Sequence, residues 1–259
     1  MIVEAKNLVK KFGEIAAVDG VSFSVVDGEI FALLGPNGAG KTTIIKMLTT
    51  VLNPTSGELS VAGYDPTREE RQARRSFGIV FQDSSVDEEL SAYDNMLIHA
   101  VLYHLPKEGR KEKIRQLLEF VELWDKRKKA VKYFSGGMKR RLEIAKGLLH
   151  HPQILFLDEP TQGLDPQTRS HIWEYIKKMN QEEKMTVFFT THYIEEVEKM
   201  ADRVVVVDKG KVIASGTPAE LKSRTGKESL EEAFIEFTGR DIRDEEASSL
   251  DRMRQRLRR

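Results

Sequence analysis

Eight consecutive residues, Gly35-Pro36-Asn37-Gly38-Ala39-Gly40-Lys41-Thr42, constrain this chain more than any other feature. They fit G-x-x-x-x-G-K-[S/T] and lie between an apolar run, Ile30–Leu34, and a helical pattern over residues 42 to 52, the strand-loop-helix setting that the pattern requires. Glycines let the backbone curl so that successive N–H groups converge on a phosphate, and the helix dipole adds positive potential. That dipole is worth only about 0.3 to 2 kcal/mol. Lys41 therefore has to supply charge, through hydrogen bonds of about 1.5 to 3 kcal/mol each. Thr42, with Thr43 beside it in the first turn, offers a hydroxyl for Mg²⁺. The loop implies a nucleoside triphosphate.

The surrounding pattern tells which sheet carries the loop. Residues 79 to 81, 154 to 157 and 187 to 189 are, like Ile30–Leu34, apolar without alternation, as strands buried on both faces are. Helical periods between them, such as residues 166 to 179, predict a parallel sheet with crossover helices. The opening differs: Val21, Phe23 and Val25 alternate, and Asp27-Gly28 forms a turn, which predicts antiparallel strands. From residue 83 to 150 the pattern is helical. Ser91 with Asp94 reads as a capping box, Leu97, Ile98, Val101 and Leu102 follow at helical spacing, and Pro106 closes the helix. Ile114, Leu117, Leu118 and Val121 mark a second helix, and a third follows Gly137. After Ala214, Thr217-Pro218 and Ser229 with Glu232 start two short helices, the second ending at Gly239. The fold class is α/β: a P-loop nucleotide-binding core with a mostly parallel sheet, an N-terminal antiparallel β subdomain and an all-helical insertion. The expected divisions are a core of residues 1–82 and 151–216, a helical subdomain of 83–150, and an extension of 217–259.

Further polar residues stand where buried strands end, the edge at which such sheets bind ligands. Asp158 and Glu159 follow residues 154 to 157; Asp158 suits Mg²⁺, and Glu159 can reach an attacking water as general base, a role worth about 10² to 10⁴ in rate. Gln82 offers an amide to metal and water, and His192 a hydrogen bond to a terminal phosphate. Ser135-Gly136-Gly137 makes a second glycine-rich helix start, where Ser135 caps the helix and N–H groups face outward.

Taken in order, the phosphate loop, Gln82, Ser135-Gly136-Gly137, Asp158-Glu159, Gly163-Leu164-Asp165 and His192 make the chain similar, over nearly its whole length, to the nucleotide-binding subunit of an ATP-binding cassette (ABC) transporter. The resemblance implies ATP and Mg²⁺ as cofactors. It implies Glu159 as catalytic carboxylate, His192 as γ-phosphate switch, Lys41 and Gln82 acting with them, and Thr42, Gln82 and Asp158 around the metal. Phe12 matches the aromatic that stacks on adenine, an interaction worth about 1 to 3 kcal/mol that tolerates any base; packing within the N-terminal sheet is its other reading. Asp165 belongs to the subunit contact, among the residues at the nucleotide, and Gln82 links to the membrane partner. Ser135, Gly136 and Gly137 serve a nucleotide held by another copy, so two chains, identical or not, lie head to tail over two ATP molecules. One departure is Phe134 and Met138 where the family usually has Leu and Gln around Ser-Gly-Gly; the change at Met138 removes an amide.

Bulk properties bound the remaining classes. Lys and Arg number 41 against 41 Asp and Glu, so no overall basic field points to nucleic acid. Absence of cysteine removes disulfides and thiolate chemistry. No apolar run approaches the roughly 18 residues of a membrane span, so separate integral membrane subunits would have to carry cargo, with this chain on the cytoplasmic face of the membrane. A soluble ABC ATPase acting on ribosomes or DNA would carry two cassettes or a long coiled coil; a small GTPase would carry Asn-Lys-x-Asp. The pattern around Gly216 to Leu221 and after Ser229 resembles subunits of bacterial and archaeal drug, antibiotic or polysaccharide exporters, with an importer as the alternative.

Overall fold

The computed structural model describes residues 1–239, so the arginine-rich stretch at 252–259 lies outside the described residues. Two sheets organise the chain. In the first, β1 (Val3–Phe12) pairs antiparallel with β2 (Ile15–Val25) on one side and with β4 (Ser56–Val61) on the other. In the second, the order is β5 (Phe77–Val80), β6 (Ile154–Asp158), β7 (Thr186–Thr191), β3 (Ile30–Leu34), β8 (Arg203–Asp208), β9 (Lys211–Gly216). All neighbours there are parallel except β8 and β9. The Asp27-Gly28 turn thus carries the chain from one sheet to the other.

Two-sided burial explains the unalternating strands. On β3, Phe31 and Leu33 face one core, shared with Ile44, Ile45, Met47 and Leu48 of α1 (Lys41–Leu48) and with the antiparallel sheet. Ile30, Ala32 and Leu34 face the other, built with the helical segment. β6 divides in the same way, Ile154 and Phe156 against Leu155 and Leu157. Helix α1 is shorter than its periodicity predicts, because the Thr49 hydroxyl donates to the Ile45 carbonyl (2.7 Å) and Thr50 turns left-handed. After α2 (Glu70–Ser76) no strand element lies between β5 and β6.

That stretch holds α3 (Ala92–Leu102), α4 (Lys107–Phe120) and α5 (Gly136–Leu148). Ser91 caps α3 by accepting from the Asp94 N–H (3.1 Å). Pro106 does not close α3, which stops at Leu102; it stands at the N-cap of α4. Ala92, Met96 and Ala100 form the buried face of α3, whereas Ile98, Val101 and Leu102 are 49%, 50% and 68% exposed. Of the apolar residues that announce this helix, Leu97 packs against the core and the other three point outward. Helix α5 lies directly on β5: a Cβ at Gly78 would fall 2.2 Å from the Gly147 carbonyl oxygen, so only glycine fits at position 78. Helix α6 (Pro166–Glu183) runs four residues past its predicted end, and α7 (Ile194–Met200), α8 (Pro218–Thr225) and α9 (Leu230–Thr238) complete the fold, the last two starting at Thr217 and Ser229 as predicted.

Between α3 and α5 the rings of His99, Tyr103 and His150 stack, with centroids 4.6 and 4.0 Å apart. Burial, aided by the Lys146 ammonium and by His150, pushes His99 from 6.5 down to about 3. Between those values the unfolded chain binds a proton at His99 that the folded chain refuses, so stability falls as pH drops below 6.5, by up to about 1.4 kcal/mol per pH unit for this group. His99→Phe keeps the ring stack and should flatten the decline between pH 6.5 and 4.5 in urea denaturation; an unchanged profile would place the proton uptake elsewhere.

Candidate functional site

Four strands of the second sheet deliver polar groups to one edge, at their carboxyl ends: the loop 35–42 after β3, Gln82 after β5, Asp158-Glu159 at the end of β6 and His192 after β7. The loop is tightly backed. A Cβ at Gly35 would meet the Val207 carbonyl oxygen at 2.2 Å, and one at Gly40, at φ 102°, would meet that of Ala17 at 2.5 Å. At Gly38 a Cβ would meet nothing within 4 Å, so the outer rim is open, with Asn37 and Gly38 exposed and Pro36 and Ala39 buried. Gly40 is the N-cap of α1 and has no side chain to accept from the first turn, which leaves the Thr42 and Thr43 N–H groups directed at the rim. The cradle fits a phosphate.

Lys41 and Glu159 form the core of the site. The Lys41 Nζ donates to the carbonyls of Gly35 (2.7 Å) and Pro36 (3.1 Å) and lies 3.3 Å from Glu159 Oε1, both side chains being buried. On its other oxygen Glu159 meets His192 Nδ1 at 2.8 Å. Burial raises the Glu159 pKa, but the His192 hydrogen bond and the Lys41 charge outweigh it and hold the carboxyl below its usual range. The backbone here is left-handed, with φ 48° at Glu159, a conformation that costs a non-glycine residue about 1 to 3 kcal/mol. It is held by the Glu159 N–H, which donates to both the carbonyl and the hydroxyl oxygen of Thr190 (3.1 Å each).

Asp158 stands beside it in the same turn. Its Oδ1 accepts from Thr190 Oγ1 (2.6 Å) and from Thr42 Oγ1 (3.3 Å). Burial pushes this carboxyl up by more than the two hydroxyls pull it down. A hydroxyl and a carboxylate, both hard oxygen donors, next to a phosphate cradle suit a Mg²⁺ ion that keeps waters and takes phosphate oxygens. When bound, such an ion offsets negative charge on the phosphates.

The other predicted residues are distributed around this centre. Gln82 is exposed and donates to Gln162 Oε1 (2.5 Å), the contact the structure gives it, so its amide faces the 159–165 turn rather than Thr42 or Asp158. Asp165 caps α6, accepting from the N–H (3.0 Å) and hydroxyl (2.7 Å) of Thr168, which keep its carboxyl below the usual range. Ser135 caps α5 through the Met138 N–H (3.3 Å), and Ser135 and Gly136 are exposed. Gly137 packs where a Cβ would strike Thr168 Cγ2 at 2.4 Å, joining this helix start to that of α6. Phe12 is 51% exposed at the end of β1, outside the sheet's core, with Lys10 Nζ 5.2 Å from its ring centre. Thr190, Gln162 and Arg140 carry the site's hydrogen bonds and have no signature in the sequence; only the position of Thr190 at the end of an apolar strand hinted at it.

A phosphate cradle, a buried lysine–glutamate–histidine cluster and a hydroxyl–carboxylate pair at one sheet edge define a P-loop nucleotide-binding protein. A family model described as ABC transporter matches residues 18–162. The linearmycin resistance ATP-binding protein LnrL of Bacillus subtilis is 42% identical over 229 residues, 88% of this chain and 73% of that protein. The doxorubicin resistance ATP-binding protein DrrA of Mycobacterium tuberculosis is 42% identical over 238 residues, 91% and 69% of the two chains. Among solved structures, an ATP-binding subunit of an ABC transporter matches with a TM-score of 0.83 at 29% identity, covering 92% of this chain and all of that one (100%). A dimeric ATP-binding cassette in a post-hydrolysis state with ADP and Pi matches with a TM-score of 0.75 at 28% identity, covering 83% and 98%. The chain belongs to the ABC transporter family, as an ATP-binding subunit.

Thr190 tests the geometry of the acidic turn. Thr190→Val keeps the shape but removes one donor to Asp158 and one acceptor from Glu159, and should cost about 1 to 3 kcal/mol of stability in urea denaturation along with ATPase activity. Thr190→Ser should restore most of both. A valine variant with wild-type stability and turnover would contradict the arrangement.

Proposed function

We propose that this chain binds and hydrolyses Mg-ATP in a head-to-tail dimer of nucleotide-binding subunits and thereby powers export by separate membrane subunits. The observation that carries the reading is the burial of Glu159 between Lys41 and His192 beside the phosphate cradle. In this reading Glu159 accepts the proton of the attacking water. Before ATP enters, Lys41 and His192 hold that carboxylate ionised; with ATP bound, Lys41 turns to the β- and γ-phosphates and His192 to the γ-phosphate. Thr42 and Asp158 would hold Mg²⁺, Gln82, which faces the 159–165 turn, would link the site to the membrane partner, and Phe12 would stack on the base. Ser135, Gly136 and Gly137 donate to the γ-phosphate of the partner's nucleotide, with Asp165 at the contact. Export is supported by the relatives, named for linearmycin and doxorubicin resistance and, in Escherichia coli, as a probable multidrug transporter's ATP-binding protein.

The proposed organisation keeps residues 1–82 and 151–216 as nucleotide core, 83–150 as the helical subdomain and 217–259 as an extension, with the chain peripheral at the cytoplasmic face. No helix among the described residues is long and apolar enough to cross a membrane. The exposed Ile98, Val101 and Leu102 on α3, four residues or fewer apart, give the helical subdomain an apolar stripe for a cytosolic segment of the membrane subunit.

Glu159→Gln tests the reaction. An amide cannot take the water's proton, so this variant should bind Mg-ATP, accumulate an ATP-dependent dimer on gel filtration and turn over at least about 10²-fold more slowly. Wild-type turnover in a clean preparation would remove Glu159 from the role of base. The stripe is tested by Ile98→Ser, Val101→Ser and Leu102→Ser combined. The isolated subunit's ATPase should stay within about twofold of wild type, since exposed substitutions cost little, while co-purification with its membrane partner from detergent extracts is lost. Retained co-purification would move the contact elsewhere.

A further inference from the structure

The residue that ties the helix starting at Ser135 to the catalytic turn is Arg140. It lies one turn into α5, buried, and all five of its N–H groups are used. Nε donates to the Pro160 carbonyl (2.7 Å), one terminal nitrogen to the carbonyls of Asp158 and Glu159 (3.0 Å each), and the other to the Phe81 carbonyl (2.5 Å) and Glu143 Oε2 (3.1 Å). Three successive carbonyls of the turn that holds Glu159 in its left-handed conformation therefore end on one guanidinium, and a fourth comes from the residue before Gln82. The same helix face continues the connection. Glu143 Oε1 accepts from the Ser85 N–H (2.7 Å), and Lys146 Nζ donates to the Ser85 carbonyl (2.8 Å) and hydroxyl (2.7 Å). Close packing of Gly147 on Gly78 brings these side chains within reach.

We propose that Arg140 is a positioning residue that fixes the Glu159 turn and the segment 81–85 to the helix bearing Ser135, so that a shift of this helix is transmitted to the catalytic carboxylate. A planar fork with five donors meets four carbonyls and a carboxylate in one geometry, which a lysine ammonium with three donors does not reproduce. All five donors of Arg140 end on protein oxygens, so it acts through Glu159. The idea rests on the ATPase reading above for its effect on turnover, and on the hydrogen bonds alone for its effect on the backbone.

Two variants separate positioning from fold maintenance. Arg140→Lys keeps the charge opposite Glu143 and the aliphatic stem; the double variant Arg140→Gln with Glu143→Gln removes both charges of that pair together and keeps an acceptor for Ser85. Both should show kcat lowered on the order of 10- to 100-fold, as misplacement of a reacting group does, with KM for ATP within about threefold; Arg140→Lys is the cleaner of the two, because Glu143→Gln also takes the carboxylate away from the buried Lys146 ammonium. Amide hydrogen exchange should rise together at residues 82–86 and 158–162 and stay unchanged at 35–42. If Arg140 merely stabilises the fold, midpoints in urea fall while kcat per folded molecule and local exchange stay at wild-type values, and the proposal is overturned. Should the double variant fail to fold, Arg140→Lys decides between these outcomes. A wild-type protein without ATPase activity would overturn the reading of the reaction, whereas the exchange data would still judge the link itself.

Discussion

The ion pair between Lys41 and Glu159 is the interaction on which the rest of the site depends. Two opposite charges 3.3 Å apart and buried are costly to desolvate and cost about 3 to 5 kcal/mol when one partner is removed. The fold meets that demand by saturating both ends. Lys41 is tied to the carbonyls of its own loop, and Glu159 to His192. The left-handed turn at Glu159 is then fixed from two directions, by Thr190 through its N–H and by Arg140 through its carbonyl. The result is a carboxylate whose pKa is held below its usual range in a fixed turn, the condition that the proposed role in electrostatic preorganisation requires.

The same arrangement explains why distant parts of the chain bear on the site. The sheet order places β3, β7 and β6 side by side, so the cradle shares one edge with Asp158-Glu159 and His192 although more than a hundred residues separate it from either in sequence. Helix α5 packs on β5 at Gly78 and reaches that edge with Arg140, while Glu143 and Lys146 hold Ser85. A segment that begins at an exposed Ser135 is in this way connected to a buried carboxylate of the site.

Much of this was legible in the sequence for a physical reason: the loop at 35–42, the acidic pair and His192 all sit at ends of strands buried on both faces, and such strands read as plain apolar runs. What escaped were contacts made across the fold. Nothing local marks Arg140, since an arginine among Lys139 and Arg141 reads as one of a solvated charge run, yet of the three it is the one that is buried, with its donors on the carbonyls of the catalytic turn. Gln162 is defined only by its partner Gln82, eighty positions away. On α3 the apolar spacing marks a helix, but the buried face is made by Ala92, Met96 and Ala100, and periodicity alone does not say which of two apolar stripes turns inward. Pro106 was assigned to the wrong helix because proline serves equally after a C-terminus and at a start.

The central claim is that one chain supplies the cradle, Glu159 and His192 while the helix start at Ser135 completes a neighbour's site. Mixing two defective variants tests it most directly: Lys41→Ala spoils the cradle, and Ser135→Arg blocks the helix start. Either homodimer has two damaged sites, whereas a mixed dimer has one site with both defects and one with neither. The account predicts that ATPase activity, or ATP-dependent dimerisation if one sound site does not turn over alone, is recovered on mixing and greatest near equal proportions. Flat activity and no dimerisation at every ratio, with both variants folded and mixed dimers demonstrated, would contradict it.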